Sequence, residues 1–172
     1  MQSEPVTITA GNVALRPLRP EEIDAEWAAM VAGDDVAVNV VPDEATFRAR
    51  LERSGQMLDG WLDLAIDVSG HAVGRIQTFV PADRVDEPST FNIGIGLHPP
   101  ARGHGYAAEA LDAFSRWLFE SCGAARVEGR TDERNQAMQR VFTRLGWTQD
   151  GRVVDGGREW LLFTAPEHPR GH

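Results

Sequence analysis

Residues 102–107 constrain the fold of this chain more than any other stretch, because they lie between a strand pattern and a helix pattern. The strand pattern is the alternating apolar run at residues 91–97, and apolar residues at spacings of three and four follow the glycines. Glycine lets a backbone approach a phosphate closely, and the first turn of a helix offers free N–H groups. The sequence therefore predicts a site for a phosphate or pyrophosphate group at this turn.

Two other phosphate-binding motifs are excluded by the residues present. A P-loop requires Gly-Lys-Ser/Thr, and this chain has no lysine, so all 17 of its basic residues are arginine. A Rossmann fingerprint, G-x-G-x-x-G, fails because its third glycine, counted from Gly94 and Gly96, would fall on Pro99. The remaining pattern is R-x-x-G-x-A at the start of a helix, and a glycine-rich turn with a purely structural role is its alternative interpretation.

This pattern resembles the acyl-CoA signature Q/R-x-x-G-x-G/A of the GNAT N-acetyltransferase superfamily. The fuller run from Ile93 to Ala107 is similar to the RimJ/RimL branch. A second stretch, from Asn135 to Trp147, resembles the family's N-x-x-S-x-R-v-x-x-x-x-G-F/W helix at the family's distance from the first motif. The resemblance covers residues 15–164 in element order and is sharp from about residue 90 to residue 147.

The element pattern and the resemblance together predict one domain over residues 1–172, with a core at about 13–164 and a loose tail at 165–172. A chain of this length can form one substantial core. The expected fold class is α/β (α+β), a GNAT-like three-layer α-β-α domain around a mixed, largely antiparallel sheet of six to seven strands. Helices are predicted to begin at Pro20, at Pro42 and Asp43, after the glycine turn, and at Asn135, and strands are predicted at residues 13–18, 62–68, 73–80, 91–97, 126–128, 147–154 and 158–164.

Carried over by motif position, the resemblance implies that acetyl-CoA, or another acyl-CoA, binds as co-substrate. Backbone amides in the glycine turn would hold the pyrophosphate. The strand before the turn would offer main-chain groups to the pantetheine arm and to the thioester carbonyl, whose developing oxyanion an N–H would stabilise. Asn135 would bond to the pantetheine, and Arg140 would lie near the phosphates unless it belongs to a solvated helix face. The predicted CoA-binding residues are Ile95, Leu97, Arg102, Gly103, His104, Gly105, Tyr106, Ala107, Asn135 and Arg140.

The chain departs from the family at both usual proton-transfer positions. Relatives often have a glutamate before the Ile-Gly of the strand and a serine on the second helix, where this chain has Asn92 and Met138. An enzyme without a dedicated base suits an α-amine, with a pKa of about 7.7–8.0, better than a lysine-like amine, with a pKa of about 10.4. The predicted catalytic residues are Asn92 and Glu128, with water or a carboxylate (Glu128, Asp86 or Glu87) relaying the proton.

The predicted function is an acyl-CoA-dependent N-acyltransferase that acts by direct transfer on a protein N-terminal α-amine or a small weakly basic amine. Two alternatives stay open. One is an aminoglycoside or polyamine N-acetyltransferase, since a net charge of −9 attracts cationic amines. The other is a CoA-binding module without catalysis.

Charge and composition exclude other classes of function. The net charge of −9 argues against a nucleic-acid partner. No apolar run is long enough to cross a membrane, the N-terminus has no signal-peptide pattern, and the single cysteine, Cys122, allows no internal disulfide, so a cytoplasmic location is expected. His98 and His104 match no ligand pattern, so no metal is expected. A homodimer is implied by the resemblance alone.

Overall fold

The computed structural model describes residues 4–32, 43–87 and 89–167. Over these ranges it has eight strands and four helices, with short 3₁₀ turns at Ala82–Arg84 and Pro99–Ala101. In chain order the elements are β1 (Ile8–Ala10), β2 (Val13–Arg16), α1 (Pro20–Ala32), α2 (Glu44–Glu52), β3 (Leu62–Val68), β4 (His71–Phe79), β5 (Thr90–Leu97), α3 (Tyr106–Ser121), β6 (Arg126–Thr131), α4 (Gln136–Arg144), β7 (Thr148–Asp155) and β8 (Arg158–Thr164).

One mixed sheet contains all the described strands, in the order β1-β2-β3-β4-β5-β6-β8-β7. Every neighbouring pair is antiparallel except β5 and β6, which are parallel. The sheet thus has eight strands instead of the six to seven expected, and the additional strand is β1. A three-residue strand is too short to show alternation in sequence. β2 ends at Arg16 instead of Leu18, because Pro17 has no N–H for the ladder.

Helices cover both faces of the sheet, which confirms the three-layer fold. α3 buries Leu111 and Phe114 completely against one face. α4 covers the same face further along, where Phe142 lies so close to Gly129 that a Cβ there would be 2.4 Å from the ring. α1 and α2 pack together on the opposite face around a smaller apolar cluster centred on Phe47. None of the helices in the described ranges is both long and apolar enough to cross a membrane.

The sheet face beneath α1 and α2 carries most of the buried polar side chains, and we call it the polar face. Residues directly opposite each other on neighbouring strands share a face. Asp63 is in register with Gln77 of β4, and Asn92 is in register with Glu128 of β6. The residues that define the polar face are Asp63, Arg75, Gln77, Phe79, Asn92, Gly94, Gly96 and Glu128.

The predicted start of α2 and the predicted C-terminal tail agree with the structure in part. Asp43 is the N-cap of α2, and its carboxylate accepts from the Thr46 N–H at 2.9 Å, as expected. Pro42, the other predicted start, lies outside the described residues. Of the predicted tail, Ala165 is buried and its N–H donates to the Val127 carbonyl, whereas residues 168–172 lie outside the described part of the chain.

Candidate active site

The loop between β5 and α3 has the geometry of an anion-binding turn. Gly103 and Gly105 have φ values of 84° and 82°, which glycine adopts without steric cost. A Cβ built on either glycine would meet no heavy atom within 4 Å beyond its chain neighbours, so the loop opens onto free space. α3 begins directly after Gly105 with no side-chain cap. The N–H groups at Tyr106 and Ala107, in its first turn, are therefore available to an anion.

Side chains of the same loop hold its shape. The Nε of Arg102 donates to the Leu97 carbonyl at 3.2 Å, which ties the loop to the end of β5. The rings of His104 and Tyr106 stack with centroids 5.4 Å apart. Both rings line a cavity of about 420 Å³ that extends to His98. Within the described ranges, no three metal-ligating side chains converge on one point.

The strand before the loop has one open edge. β5 pairs with β6 only from Thr90 to Ile93, where Ile93 faces Gly129. Beyond Ile93 the strand continues beside β4, but it has no β6 partner among the described residues. The free edge therefore passes Ile95 and Leu97 and leads to the glycine loop. An extended ligand can pair with such an edge as a further strand does.

The second predicted motif lies at the start of α4. Asn135 is the N-cap of this helix, and its Oδ1 accepts from the Met138 N–H at 3.1 Å. Its side-chain oxygen thus has a structural role that the resemblance did not imply. Arg140 is exposed on α4 and makes no hydrogen bond or ion pair with the described residues. Its place near the phosphates stays a prediction.

Asn92 is buried at the point where β5 and β6 separate. The residue is only 4% exposed, and its side-chain Oδ1 has no hydrogen-bond partner. The backbone carbonyl of Asn92 accepts from the Thr78 hydroxyl at 2.9 Å. An amide oxygen that is buried without a donor is costly, so this atom marks a place where a water or ligand donor fits.

Glu128 lies directly opposite Asn92 and is completely buried. Its Oε1 is 2.7 Å from the Nε of Arg126 and 3.0 Å from a terminal nitrogen of Arg84. Arg130 lies 3.8 Å from its Oε2, which has no hydrogen-bond partner. The structure thus brings together the two predicted catalytic residues and places an unsatisfied acceptor on each.

The other carboxylates suggested by the sequence lie on the loop before β5. Asp86 and Glu87 are both exposed. The carboxylate of Glu87 is 3.9 Å from Arg84, the residue that also contacts Glu128. Of the three carboxylates considered for proton relay, Glu128 alone is in register with Asn92.

Sequence reasoning missed a charged cluster on the polar face. The Glu26 carboxylate is 2.8 Å from the Nε2 of His98 and 3.6 Å from the Nε of Arg75. Arg75 also donates to Asp63 at 2.8 Å, and the Nε of Arg50 lies 3.6 Å from the same carboxylate. The hydrogen bond that His98 donates to the Glu26 carboxylate raises the pKa of His98 above its usual value, against burial and the charge of Arg102.

These five residues come from α1, α2, β3, β4 and the end of β5, so no local spacing in the sequence connects them. The alternation of β3 does place Asp63 on one face, away from the apolar residues. That is the one signal in the sequence that pointed to a buried polar face. The contact between Glu26 of α1 and His98 could be recognised only in the folded structure.

Helices on both faces of a mixed sheet, one parallel strand junction and a glycine loop before a long helix are the features that the resemblance to GNAT acetyltransferases implies. The acetyltransferase (GNAT) domain family matches residues 12–148, which is well over half of the chain. The chain therefore belongs to the GNAT acetyltransferase family, as the two motifs predicted.

One curated relative and two solved structures illustrate the likeness in sequence and in fold, respectively. A mycothiol acetyltransferase of Sanguibacter keddieii is 29% identical over 154 residues, which cover 86% of this chain and 47% of that protein. The chain thus spans about half the length of that relative. An acetyltransferase structure from Agrobacterium tumefaciens has a TM-score of 0.79 at 22% identity, covering 97% of this chain and 98% of that one. RimJ of Mycobacterium smegmatis, in complex with CoA-disulfide, has a TM-score of 0.71 at 21% identity, covering 93% and 87%.

Proposed function

We propose that this protein transfers an acetyl group from acetyl-CoA to a protein N-terminal α-amine or a small weakly basic amine. The observation that supports this most is the uncapped start of α3 behind two open glycines, next to the free edge of β5. Backbone N–H groups at a helix start suit a pyrophosphate, and a free strand edge suits an extended amide-containing arm.

Each predicted CoA-binding residue has a defined part in this proposal. The N–H groups of residues 103–107 bind the pyrophosphate, and Arg102 holds the loop against β5. Ile95 and Leu97 offer the main-chain edge for the pantetheine arm. Asn135 retains its side-chain N–H₂ group for that arm, since only its oxygen caps α4. Arg140 extends from the same helix toward the phosphates.

The reaction requires two bound reactants in the right orientation and no covalent enzyme intermediate, so positioning supplies most of the acceleration. The attacking ammonium must lose one proton, and the CoA sulfur must gain one. At pH 7 the neutral form of a lysine-like amine is disfavoured by about 4–5 kcal/mol, against about 1 kcal/mol for an α-amine. A protein with no dedicated base therefore suits the α-amine.

Asn92 and Glu128 supply the polar groups near the reacting amine. An amide cannot act as a base at neutral pH, so Asn92 acts by accepting hydrogen bonds. The Asn92 Oδ1 and Glu128 Oε2 atoms both lack donors and are held on adjacent strands. In this proposal they orient a water molecule that relays the proton from the weakly basic acceptor to solvent.

The test is a thiol-release assay with acetyl-CoA and a panel of amines. The panel contains a short peptide with a free α-amine, an aliphatic primary amine, an aminoglycoside and a polyamine. At pH 7 we expect kcat/KM to be highest for the α-amine. A higher kcat/KM for the aliphatic amine contradicts the proposal.

The same panel separates the alternatives. A preference for the aminoglycoside or the polyamine supports a cationic acceptor. Binding of CoA by calorimetry without thiol release on any amine supports the binding module. A cytoplasmic location and a homodimer stay predictions.

A further inference from the structure

Arg50 is a largely buried cation that no carboxylate fully neutralises. Its side chain is 22% exposed, and its Nε is buried without a hydrogen-bond partner. The guanidinium carbon lies 4.7 Å from the ring centre of Trp61 and 5.5 Å from that of Phe47. Burial, together with the charge of Arg75, lowers the pKa of Arg50. Aromatic faces and one long ion pair, between its Nε and Asp63 at 3.6 Å, thus hold this side chain in place.

The nearby carboxylates are already engaged by other groups. Asp63 accepts from the Trp61 indole at 2.6 Å and from Arg75 at 2.8 Å, whereas the Nε of Arg50 is 3.6 Å away. Glu26 is bonded to His98 at 2.8 Å. The Arg50 guanidinium makes no hydrogen bond with any described residue, so its planar donor edge is available to an anion.

A row of aromatic rings connects Arg50 with the predicted catalytic residues. Trp61, which lies under Arg50, stacks on Phe79 with ring centres 4.9 Å apart and an angle of 18°. Phe79 is in register with Asn92 on β5. Both rings are partly exposed. Arg50 lies over the start of β3, two strand spacings from β5, which corresponds to about 10 Å.

We propose that Arg50 binds a carboxylate of the acceptor, which lies across Trp61 and Phe79 with its amine at Asn92. This rests on the proposed α-amine acetyltransferase function. An extended peptide spans about 3.3–3.6 Å per residue. A carboxylate about 10 Å from an α-amine is therefore the C-terminus of a tripeptide, or the acidic side chain of the second or third residue of a longer chain. A guanidinium pairs with a carboxylate through two parallel hydrogen bonds.

The experiment compares three acceptors in the thiol-release assay: Ala-Ala-Ala as the free acid, Ala-Ala-Ala amide and Ala-Glu-Ala amide. We expect wild-type kcat/KM to be about tenfold to a hundredfold higher for a carboxylate-bearing peptide than for Ala-Ala-Ala amide, as a charge-assisted bidentate pair implies. Preference for the free acid indicates a short peptide, and preference for Ala-Glu-Ala amide indicates the start of a longer chain. Equal use of all three overturns the proposal.

Variants assign the preference to Arg50. Arg50→Met lowers kcat/KM for the carboxylate-bearing peptide by a larger factor than for Ala-Ala-Ala amide, so the preference disappears. Arg50→Lys retains part of the preference, because an ammonium keeps the charge without the planar fork of donors. The matched control is Arg53→Met, which removes an exposed arginine at the end of the same helix and keeps the full preference. If Arg50→Met lowers kcat/KM for acid and amide by the same factor, the proposal is wrong.

Two further measurements keep the outcomes separate. Thermal unfolding shows whether Arg50→Met is folded, and if it is not, the wild-type ratio and Arg50→Lys decide. If no peptide is acylated, the proposed function fails. Calorimetric binding of the acid and the amide in the presence of CoA then still decides whether Arg50 selects a carboxylate.

Discussion

The loop at residues 102–107 and the polar face present polar groups by opposite means. The loop offers N–H groups from the backbone, and its two glycines face open space. The polar face instead depends on buried side chains such as Asp63 and Glu128, which are held by arginines of the same strand or of other elements. A backbone site tolerates most side-chain changes but depends on φ, whereas a buried ion pair fails when one partner is removed.

The largest expected effect is on the charged side of this comparison. Glu128→Gln leaves the guanidinium groups of Arg84, Arg126 and Arg130 without their shared buried countercharge. Breaking a buried ion pair in this way costs about 3–5 kcal/mol of unfolding free energy. Chemical denaturation measures the loss.

A surface ion pair of the same arginine provides the control. Asp150 lies 3.1 Å from Arg126 and is 41% exposed. Asp150→Asn is expected to cost less than about 1 kcal/mol. If both variants unfold at the same denaturant concentration, the polar face does not depend on its buried charge.

The next effect is on the backbone side. Gly103→Asp places a side chain at φ 84° and a negative charge beside the free N–H groups of the loop. The left-handed conformation costs about 1–2 kcal/mol of stability. We expect CoA affinity to fall by about a hundredfold, a loss of about 2.7 kcal/mol, as measured by calorimetry.

Gly157 is the matched control for that variant. It has φ 75° in the turn between β7 and β8, and a Cβ there also meets no atom within 4 Å. Gly157→Asp should therefore cost about the same stability and leave CoA affinity unchanged. If both variants lose the same CoA affinity, the loop does not bind the phosphates of CoA.

A smaller effect separates the two roles of Asn135. Asn135→Ala removes the cap of α4 and costs about 1 kcal/mol, whereas Asn135→Ser keeps a capping oxygen and costs little. Serine has no N–H₂ group for the pantetheine arm, so both variants should lower CoA affinity by about tenfold. If Asn135→Ser binds CoA as tightly as the wild type, the residue is a cap and nothing more.

The smallest effect is a dependence on pH. Glu26 raises the pKa of His98 above 6.5. The stabilisation from this pair is therefore complete below about pH 6.5 and is lost as the pH rises through the folded-state pKa. The difference in unfolding free energy between wild type and His98→Gln should be larger at pH 6 than at pH 9, by less than about 1 kcal/mol. If this difference is the same at both pH values, the pair of His98 and Glu26 makes no pH-dependent contribution to stability.

Sequence alone was sufficient to predict the features that depend on residues close together in the chain. The glycine loop, the Asp43 cap and the buried face of α3 each follow from residues within one or two turns of one another. Every strand except β1 was predicted from the sequence, and β1 is too short to show alternation. These features predicted the family and the donor end of the site.

The proposed acceptor side could not be predicted in the same way. Glu26 and His98 are 72 positions apart, and Arg50 meets Trp61 only because α2 folds over the start of β3. Such contacts depend on how helices pack on the sheet, which no periodicity encodes. The sequence showed that a base was missing at Asn92 but not which charges surround it.

Apart from His98, every cation in the ion pairs described above is an arginine, since the chain contains no lysine. A lysine held near a reactive thioester can be acylated and lose its charge, whereas a guanidinium stays protonated and is a poor nucleophile. The charges that hold the sheet and its polar face are therefore resistant to modification by the protein's own proposed donor. A pool of acetyl-CoA that neutralises lysines on other proteins leaves this network of charges intact.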